Sequence, residues 1–365
     1  MSKNILFILH CPPPVHGSSI VGLSIKNSSK INNYFECRYI NLLVSRTMDE
    51  TGKAGFLKII RFIGVWIKLA SEIIKKKPDL CYLALTTTGA AFYKDVLLIA
   101  ILRFVHVKRI YHLHNKGVSQ HQLNKINKLL YGFVFKDADV ILLSTALYQD
   151  IQTFVPESRV SICPNGVEDA FPNLNPRYNP ENTKVKIIFL SNLIESKGVF
   201  VLLDACALLQ KNNIDFECDF IGAEGDVSAQ QFNDKIIQKQ LTSKVYYLGR
   251  KYGIEKNQIL EQADIFAFPS YYSNECFPLV LLEAMSACLP VVSTFEGGIP
   301  DIVQEGITGL LVPQRDSTAL ASQLERLILT PDLRSFMGNS ARNKFETSFK
   351  LENFELNLIK ILDSK

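Results

Sequence analysis

Apolar and polar positions alternate in blocks along the chain, and the blocks read in turn as strands and helices. Short apolar runs at Asn4–His10, LCYLAL (80–85), KRIYHLH (108–114), DVILLS (139–144) and VSIC (160–163) are separated by longer stretches with helical spacing. Runs apolar at nearly every position predict strands buried on both faces, and their alternation with helices predicts a parallel sheet covered on both sides. From 172 to 184 the text becomes PNLNPRYNPENTK, with three prolines and four asparagines in thirteen residues, which is linker chemistry. The pattern then restarts with VKIIFLS (185–191), FECDFIG (216–222), KVYYLG (244–249), IFAFPS (265–270), PVVST (290–294) and GLLVP (309–313). Each half opens with a strand, a Gly-containing loop and a helix. The expectation is an α/β fold of two Rossmann-like, doubly wound domains, 1–175 and 183–347, facing each other across a cleft. A C-terminal helix, 348–365, is expected to pack back on the first. In such sheets ligands bind beyond the carboxyl ends of the strands, so the chemistry is expected in those loops.

Composition narrows the classes. The 365 residues are 47% hydrophobic and 21% charged, with a mean hydropathy of +0.10, which excludes a disordered or fibrous chain. No run reaches the roughly 18 apolar residues of a spanning helix. The opening MSKNILFILHCPPP has no small-residue cleavage site and reads as a first strand rather than a secretory signal. Eight cysteines stand without a CxxC pair, which fits a reducing compartment and predicts a cytoplasmic protein. The net charge of +4 hides an asymmetry: residues 1–180 hold 22 Lys+Arg against 12 Asp+Glu, and 181–365 hold 18 against 24. A basic first half points to an anionic partner, a membrane surface or a phosphorylated acceptor, with uneven surface charge as the plainer alternative. Nucleic acid is not expected, because no basic-aromatic module is present. The segment FLKIIRFIGVWIKLASEIIKKK (56–77) has apolar residues at helical spacing, with Lys58, Arg61, Lys68 and Lys75–Lys77 between them. Such a helix either docks on an anionic bilayer, at the inner face of the cell membrane, or simply covers a sheet with its basic side in water.

Two nucleotide motifs are absent. After the first strand the text is HGSSIVG rather than GxGxxG, and no GxxxxGK[ST] occurs, so a nicotinamide dehydrogenase and a P-loop ATPase lose support. The informative stretch is SYYSNECFPLVLLEAMSACLPVVSTFEGGIPDIVQEGITGLLVP. Here Glu275 and Glu283 are separated by seven residues, and Glu283 lies on a helix beginning near Pro278. The amides of Cys276, Phe277 and Leu279 would point out of that helix start, a ready place for anionic or polar groups. Glu283 stands one to two turns in, about 8 Å along the axis. Lys197, in SNLIESKG, follows the first strand of the second half, where a point charge could meet phosphate. Gly297 and Gly298 would let backbone approach a ligand closely, and Asn165-Gly166 marks a turn. Asp137-Ala138-Asp139 is formally a D-x-D, but it sits where helix runs into strand, at the wrong end for a ligand site. No divalent cation or other cofactor is expected.

These motifs together resemble the retaining glycosyltransferases of family 4, which have the GT-B fold. The resemblance runs through Gly17, the His-ending strand (His112, His114), CPNGVED, the SKG loop, ECFPLVLLE and GGIPDIVQEGITGLLVP. It implies transfer of a hexosyl or N-acetylhexosaminyl group from a UDP- or GDP-sugar donor to a glycan or lipid-linked acceptor, as in bacterial surface-polysaccharide synthesis. By the same resemblance Glu275 would bind the donor sugar's hydroxyls and Glu283 the ribose hydroxyls. Backbone from Cys276 and Phe277 through Pro278, Leu279 and Val280 would hold the sugar and diphosphate, and Lys197 the departing diphosphate. His114 would reach the reaction centre, and Gly17, flanked by His16 and Ser18, the phosphates or acceptor. The family's basic residue five positions before the lysine is here Asn192, which carries no charge, so Arg250 becomes a possible substitute. Asp301 stands where relatives usually carry Glu. The Asn192 departure motivates a second reading, a non-catalytic nucleotide-sugar-binding partner of the same fold.

Overall fold

The computed structural model describes residues 2–42, 56–174 and 184–365. Most of the proline- and asparagine-rich stretch, 175–183, lies outside the described residues, as do 43–55. Two compact units emerge, Met1–Asn165 with Glu352–Lys365, and Gly166–Leu351.

The first unit is built on six parallel strands: β1 (Asn4–Leu9), β2 (Glu36–Asn41), β3 (Leu80–Leu85), β4 (Arg109–Leu113), β5 (Asp139–Leu142) and β6 (Val160–Ile162). Their order is β2-β1-β3-β4-β5-β6. β1 and β3 are buried at every position, as unbroken apolar runs on a doubly covered sheet must be. β2, ECRYIN, carries no such run; it is an edge strand, mostly half-exposed, and pairs only with β1. The helix Leu351–Asp363 completes this unit by burying Phe354, Leu358 and Leu362. Lys365 Nζ meets Asp139 Oδ1 at 2.9 Å, and Lys3 Nζ donates to the Leu362 carbonyl at 3.0 Å.

The second unit repeats the plan with β7 (Val185–Leu190), β8 (Phe216–Ile221), β9 (Val245–Gly249), β10 (Ile265–Phe268), β11 (Val291–Thr294) and β12 (Gly309–Val312). These are also parallel, in the order β12-β11-β10-β7-β8-β9. The residues after Asn165 belong here because Val167 bridges Lys350 and Asp169 takes a bidentate pair from Arg342, both bonds 2.7 Å. In each sheet the order reverses once, between β1 and β3 and between β7 and β10. Those reversals are where loops diverge and leave room for a ligand.

Candidate functional site

In the second unit the reversal sets the loop after β7, which carries Asn192 and Lys197, beside the loop after β10, which carries Glu275. Two glycines bring the backbones together. Gly198 has φ +90°, and a Cβ there would lie 2.2 Å from the Pro269 carbonyl oxygen. Gly297 has φ +56°, and its Cβ would lie 2.1 Å from the Glu275 carbonyl oxygen. No side chain fits either place. The close approach expected of Gly297 and Gly298 is therefore to the Glu275–Cys276 turn, whose Cys276 carbonyl accepts from Gly298 N–H at 2.7 Å.

Within this frame Lys197 Nζ and Glu275 Oε2 form an ion pair, both side chains largely buried. Ser270 Oγ approaches the same carboxylate oxygen at 3.4 Å. The ammonium also sits 4.6 Å from the Tyr272 ring centroid and 5.5 Å from that of Phe268, so aromatic faces as well as the carboxylate fix its position. The helix Leu279–Ser286 starts immediately after Pro278, which is its N-cap rather than part of its first turn. Cys276 and Phe277 are buried, Phe277 edge-on to Phe349 at 5.8 Å, so these positions offer a ligand backbone and not side chain. Leu279 and Val280 are half-buried, and the first amides of the helix have no intrahelical acceptor.

Glu283, on that helix, accepts from Lys256 Nζ at 2.8 Å, with both side chains about a quarter exposed. Lys256 lies on the helix Gly253–Gln262, in GIEKNQILEQ, where nothing local marks it out. Each of the two acids thus carries its own ammonium. A ligand's hydroxyls can bond the carboxylates while its anionic groups meet the lysines.

The other predicted residues are placed differently. Asn192 Oδ1 accepts the Ala223 N–H at 3.3 Å, tying the loop after β7 to the loop after β8. Arg250 follows the edge strand β9, where its Nε donates to the Tyr252 hydroxyl and its guanidinium stacks 4.7 Å from that ring. Asp301 lies exposed on the short helix Ile299–Ile302, its carbonyl accepting from Lys344. Asp137 pairs with Arg159 at 3.7 Å and Asp139 with Lys365. Among the described residues no cluster of three His, Cys, Asp or Glu is arranged to hold a metal ion.

In the first unit the reversal lies at the ends of β1 and β3, with β4 next in order, and four of the chain's six histidines gather there. His16 caps the helix Gly17–Asn27, its Nδ1 accepting from Ser19 N–H, and its ring centroid is 6.0 Å from that of His10. His10 Nδ1 is 2.9 Å from Ser18 Oγ. His114 falls one residue past β4, with its ring 4.2 Å from that of His112. His112 is fully buried with Nδ1 2.5 Å from the Tyr82 hydroxyl, and its Nε2 has no partner among the described residues. Burial pushes His10 down to about 3, assisted by the positive potential of His16, His114 and Lys94. Burial alone pushes His112 to about 3. His114 is held well below its ordinary value by burial and then by His112 and His16. All three imidazoles are neutral near pH 7. His10, closing FILH, is the member that the sequence reading missed; its signal was its place at the end of the first strand.

Residues 171–344 match the family model of the glycosyl transferases group 1. This region is therefore similar to the glycosyl transferases group 1. The chain is 30% identical over 268 residues, 72% of its own length, to the amylovoran biosynthesis glycosyltransferase AmsK of Erwinia amylovora, and covers 65% of that protein. It is 30% identical over 224 residues to the D-inositol 3-phosphate glycosyltransferase of Corynebacterium aurimucosum, covering 56% of this chain and 52% of that one. The chain thus spans less than two thirds of the curated relatives it matches. Among solved structures, Anabaena HepE in complex with UDP aligns over 100% of both chains with a TM-score of 0.77 and 18% identity. The lipopolysaccharide outer core galactosyltransferase WaaB aligns over 99% of both with a TM-score of 0.74 and 16% identity. The fold is that of the GT-B glycosyltransferases. Lys197, Glu275 and Glu283, the residues of the two ion pairs named from the motifs, all lie inside the family-matched region, as does Lys256.

Proposed function

We propose that this protein is a retaining glycosyltransferase that moves a hexosyl or N-acetylhexosaminyl group from a nucleoside-diphosphate sugar to a glycan or lipid-linked acceptor, in bacterial surface-polysaccharide or glycolipid synthesis. The observation that carries this reading is the Lys197–Glu275 pair at the β7/β10 reversal. A carboxylate there suits a sugar's hydroxyls, and an ammonium beside it suits a diphosphate that gains charge as the glycosidic bond breaks. Glu283 with Lys256 offers the same combination to a ribose and its phosphates. Support for the donor class comes from HepE, solved with UDP-glucose. In the first unit, neutral imidazoles at the strand ends suit contact with the sugar and the acceptor hydroxyl, with the helix start at Gly17 beside them.

The transfer is taken as metal-independent, the leaving-group charge falling to Lys197 and the amides after Pro278. The acid pair that would suggest a metal, Asp137 and Asp139, is engaged with Arg159 and Lys365. A cytoplasmic site of action, with the acceptor presented at an anionic membrane surface against the 56–77 segment, fits the basic first half; no described helix is long and apolar enough to cross a membrane. The test is incubation with a panel of UDP- and GDP-sugars and candidate acceptors, followed by release of nucleoside diphosphate and by the anomeric configuration of the product. Tight donor binding without release in any combination would favour the non-catalytic partner instead.

A further inference from the structure

Three helices of the first unit turn apolar side chains toward solvent. The crossovers β2 to β3, β3 to β4 and β4 to β5 all run in one direction across the sheet, so right-handed connection puts their helices on one face. These are Phe56–Lys75, Gly89–Phe104 and Lys125–Phe135, and the middle helix packs against both others. Their inner sides fill the core. On the outer side of the middle helix, Tyr93, Leu97 and Phe104 form one stripe, with Phe104 85% exposed. On the third helix Ile126, Leu129 and Phe133 form another, with Leu129 75% exposed. On the first, Ile63, Ile67 and Ile74 are exposed, Ile74 by 85%. Single exposed apolar residues are ordinary; three adjacent stripes on one face are not.

The charge on this face has one sign. Lys125 and Lys128 are exposed among the apolar residues of the third helix, which contains no acid, and the Arg103 guanidinium stacks 4.4 Å from the Phe133 ring. The middle helix holds a single acid, Asp95, which is buried. In the first helix the acid is Glu72, paired with Arg38 and Lys75. A second copy of the chain on this face would set cations against cations, which disfavours self-association. An interface of apolar side chains rimmed by lysines matches an anionic lipid surface, where the apolar groups enter the acyl boundary and the ammoniums meet phosphates.

We propose that the outer face of these three helices, with its exposed lysines on the flanking helix Lys125–Phe135, docks the protein on an anionic bilayer. This extends the contact proposed for the 56–77 segment alone to two helices that carry no membrane signature in the sequence. It does not depend on the donor site, so a protein that fails every transferase assay would still bind vesicles.

The experiment is co-sedimentation of the full chain with vesicles of phosphatidylcholine alone or with equal parts phosphatidylglycerol. Binding is expected to the anionic vesicles only, and to weaken as salt is raised. Lys125→Glu with Lys128→Glu should weaken it about tenfold or more, since two attractive charges become repulsive. Phe104→Ser with Leu129→Ser, an independent variant, should weaken it similarly. All four side chains are exposed, and thermal melts check that both variants fold. Equal binding to both vesicle types would overturn the proposal. So would unchanged binding by the two variants while Lys68→Glu abolishes it, which would confine the contact to the first helix. Absence of vesicle binding, with or without a dimer in light scattering, would overturn it as well.

Discussion

The ammonium of Lys197 and the carboxylate of Glu275 form an ion pair between residues 78 positions apart. Lys197 ends the single 3-10 turn Glu195–Lys197 and Glu275 stands on a loop; each is fixed by a backbone contact at a glycine, Gly198 in one case and Gly297 in the other. The pair is therefore positioned before any ligand arrives, which is the condition under which a charge stabilises a transition state without reorganisation.

Lys197→Ala should lower kcat about 10²–10³-fold, equivalent to about 3–4 kcal/mol, because the departing diphosphate loses its cation. Lys197→Arg should recover part of this, and Asn192→Arg, adding charge on the same loop, should raise turnover modestly. Steady-state release of nucleoside diphosphate by the three variants is the measurement. Thermal melts are needed beside it, since Glu275 is left largely buried without its partner. A folded Lys197→Ala within about threefold of the parent would show that the lysine does not serve the leaving group.

Glu283→Ala should weaken the donor and the nucleoside diphosphate product alike, as loss of a uniform binding contact does. Lys256→Met should weaken both in the same direction, by about tenfold or less, because the pair is partly open to solvent. Calorimetry with the diphosphate reads both variants. An unchanged affinity in Glu283→Ala removes the ribose assignment, and in Lys256→Met it removes the lysine's share.

Donor binding and turnover should persist in EDTA, with Lys197 and backbone amides supplying what a cation would otherwise supply. Binding of a nucleoside-diphosphate sugar is measured by calorimetry before and after chelation. A strict requirement for Mg²⁺ or Mn²⁺ in both binding and turnover would refute this.

His112 makes stability depend on pH. Its folded value is about 3 and its unfolded value is near 6.5, so between these limits the unfolded state holds the extra proton. Its stabilising contribution is complete above about 6.5 and declines as pH falls, by about 1.4 kcal/mol per pH unit, or about 2 kcal/mol by pH 5. Asp95 acts in the opposite sense: its carboxyl is raised to about 7 by burial, so its contribution is lost as pH rises toward that value. Comparing the parent with His112→Gln at each pH cancels the Asp95 effect. Denaturant unfolding at about pH 7.5 and about pH 5 should show the two proteins converging in stability as pH falls; a constant gap would mean that His112 titrates normally.

Eleven of the twelve strands among the described residues can be read directly because each is an apolar run bounded by turn residues. β2 cannot: an edge strand needs no apolar run, and ECRYIN has none. Lys197, Glu275 and Glu283 are visible through the motifs around them, and the doubly wound pattern already implies that loops after adjacent strands converge. Lys256 is invisible because its partner Glu283 lies 27 positions away on another helix, and surface lysines are common on any helix. Arg250 shows the reverse relation between sequence and structure. Its place after a strand makes it a candidate for the diphosphate, and the sequence does not show that its guanidinium meets the tyrosine two residues on. The glycines at 297 and 298 were read by their residue type, which permits close approach but does not say to what.

The first unit is interrupted in sequence, since Glu352–Lys365 return to it after the whole of the second. During synthesis the usual order, in which the earlier domain folds first, is therefore inverted. The second unit is one continuous stretch and has all its strands once Leu351 is made. The first has its six strands far earlier, but it waits with the hydrophobic bed for Phe354, Leu358 and Leu362 uncovered. Synthesis of the helix Leu351–Asp363, rather than completion of the sheet, is what seals the core of the first unit. That helix acts as a closing segment, supplied to the first unit only after the whole of the second has been made.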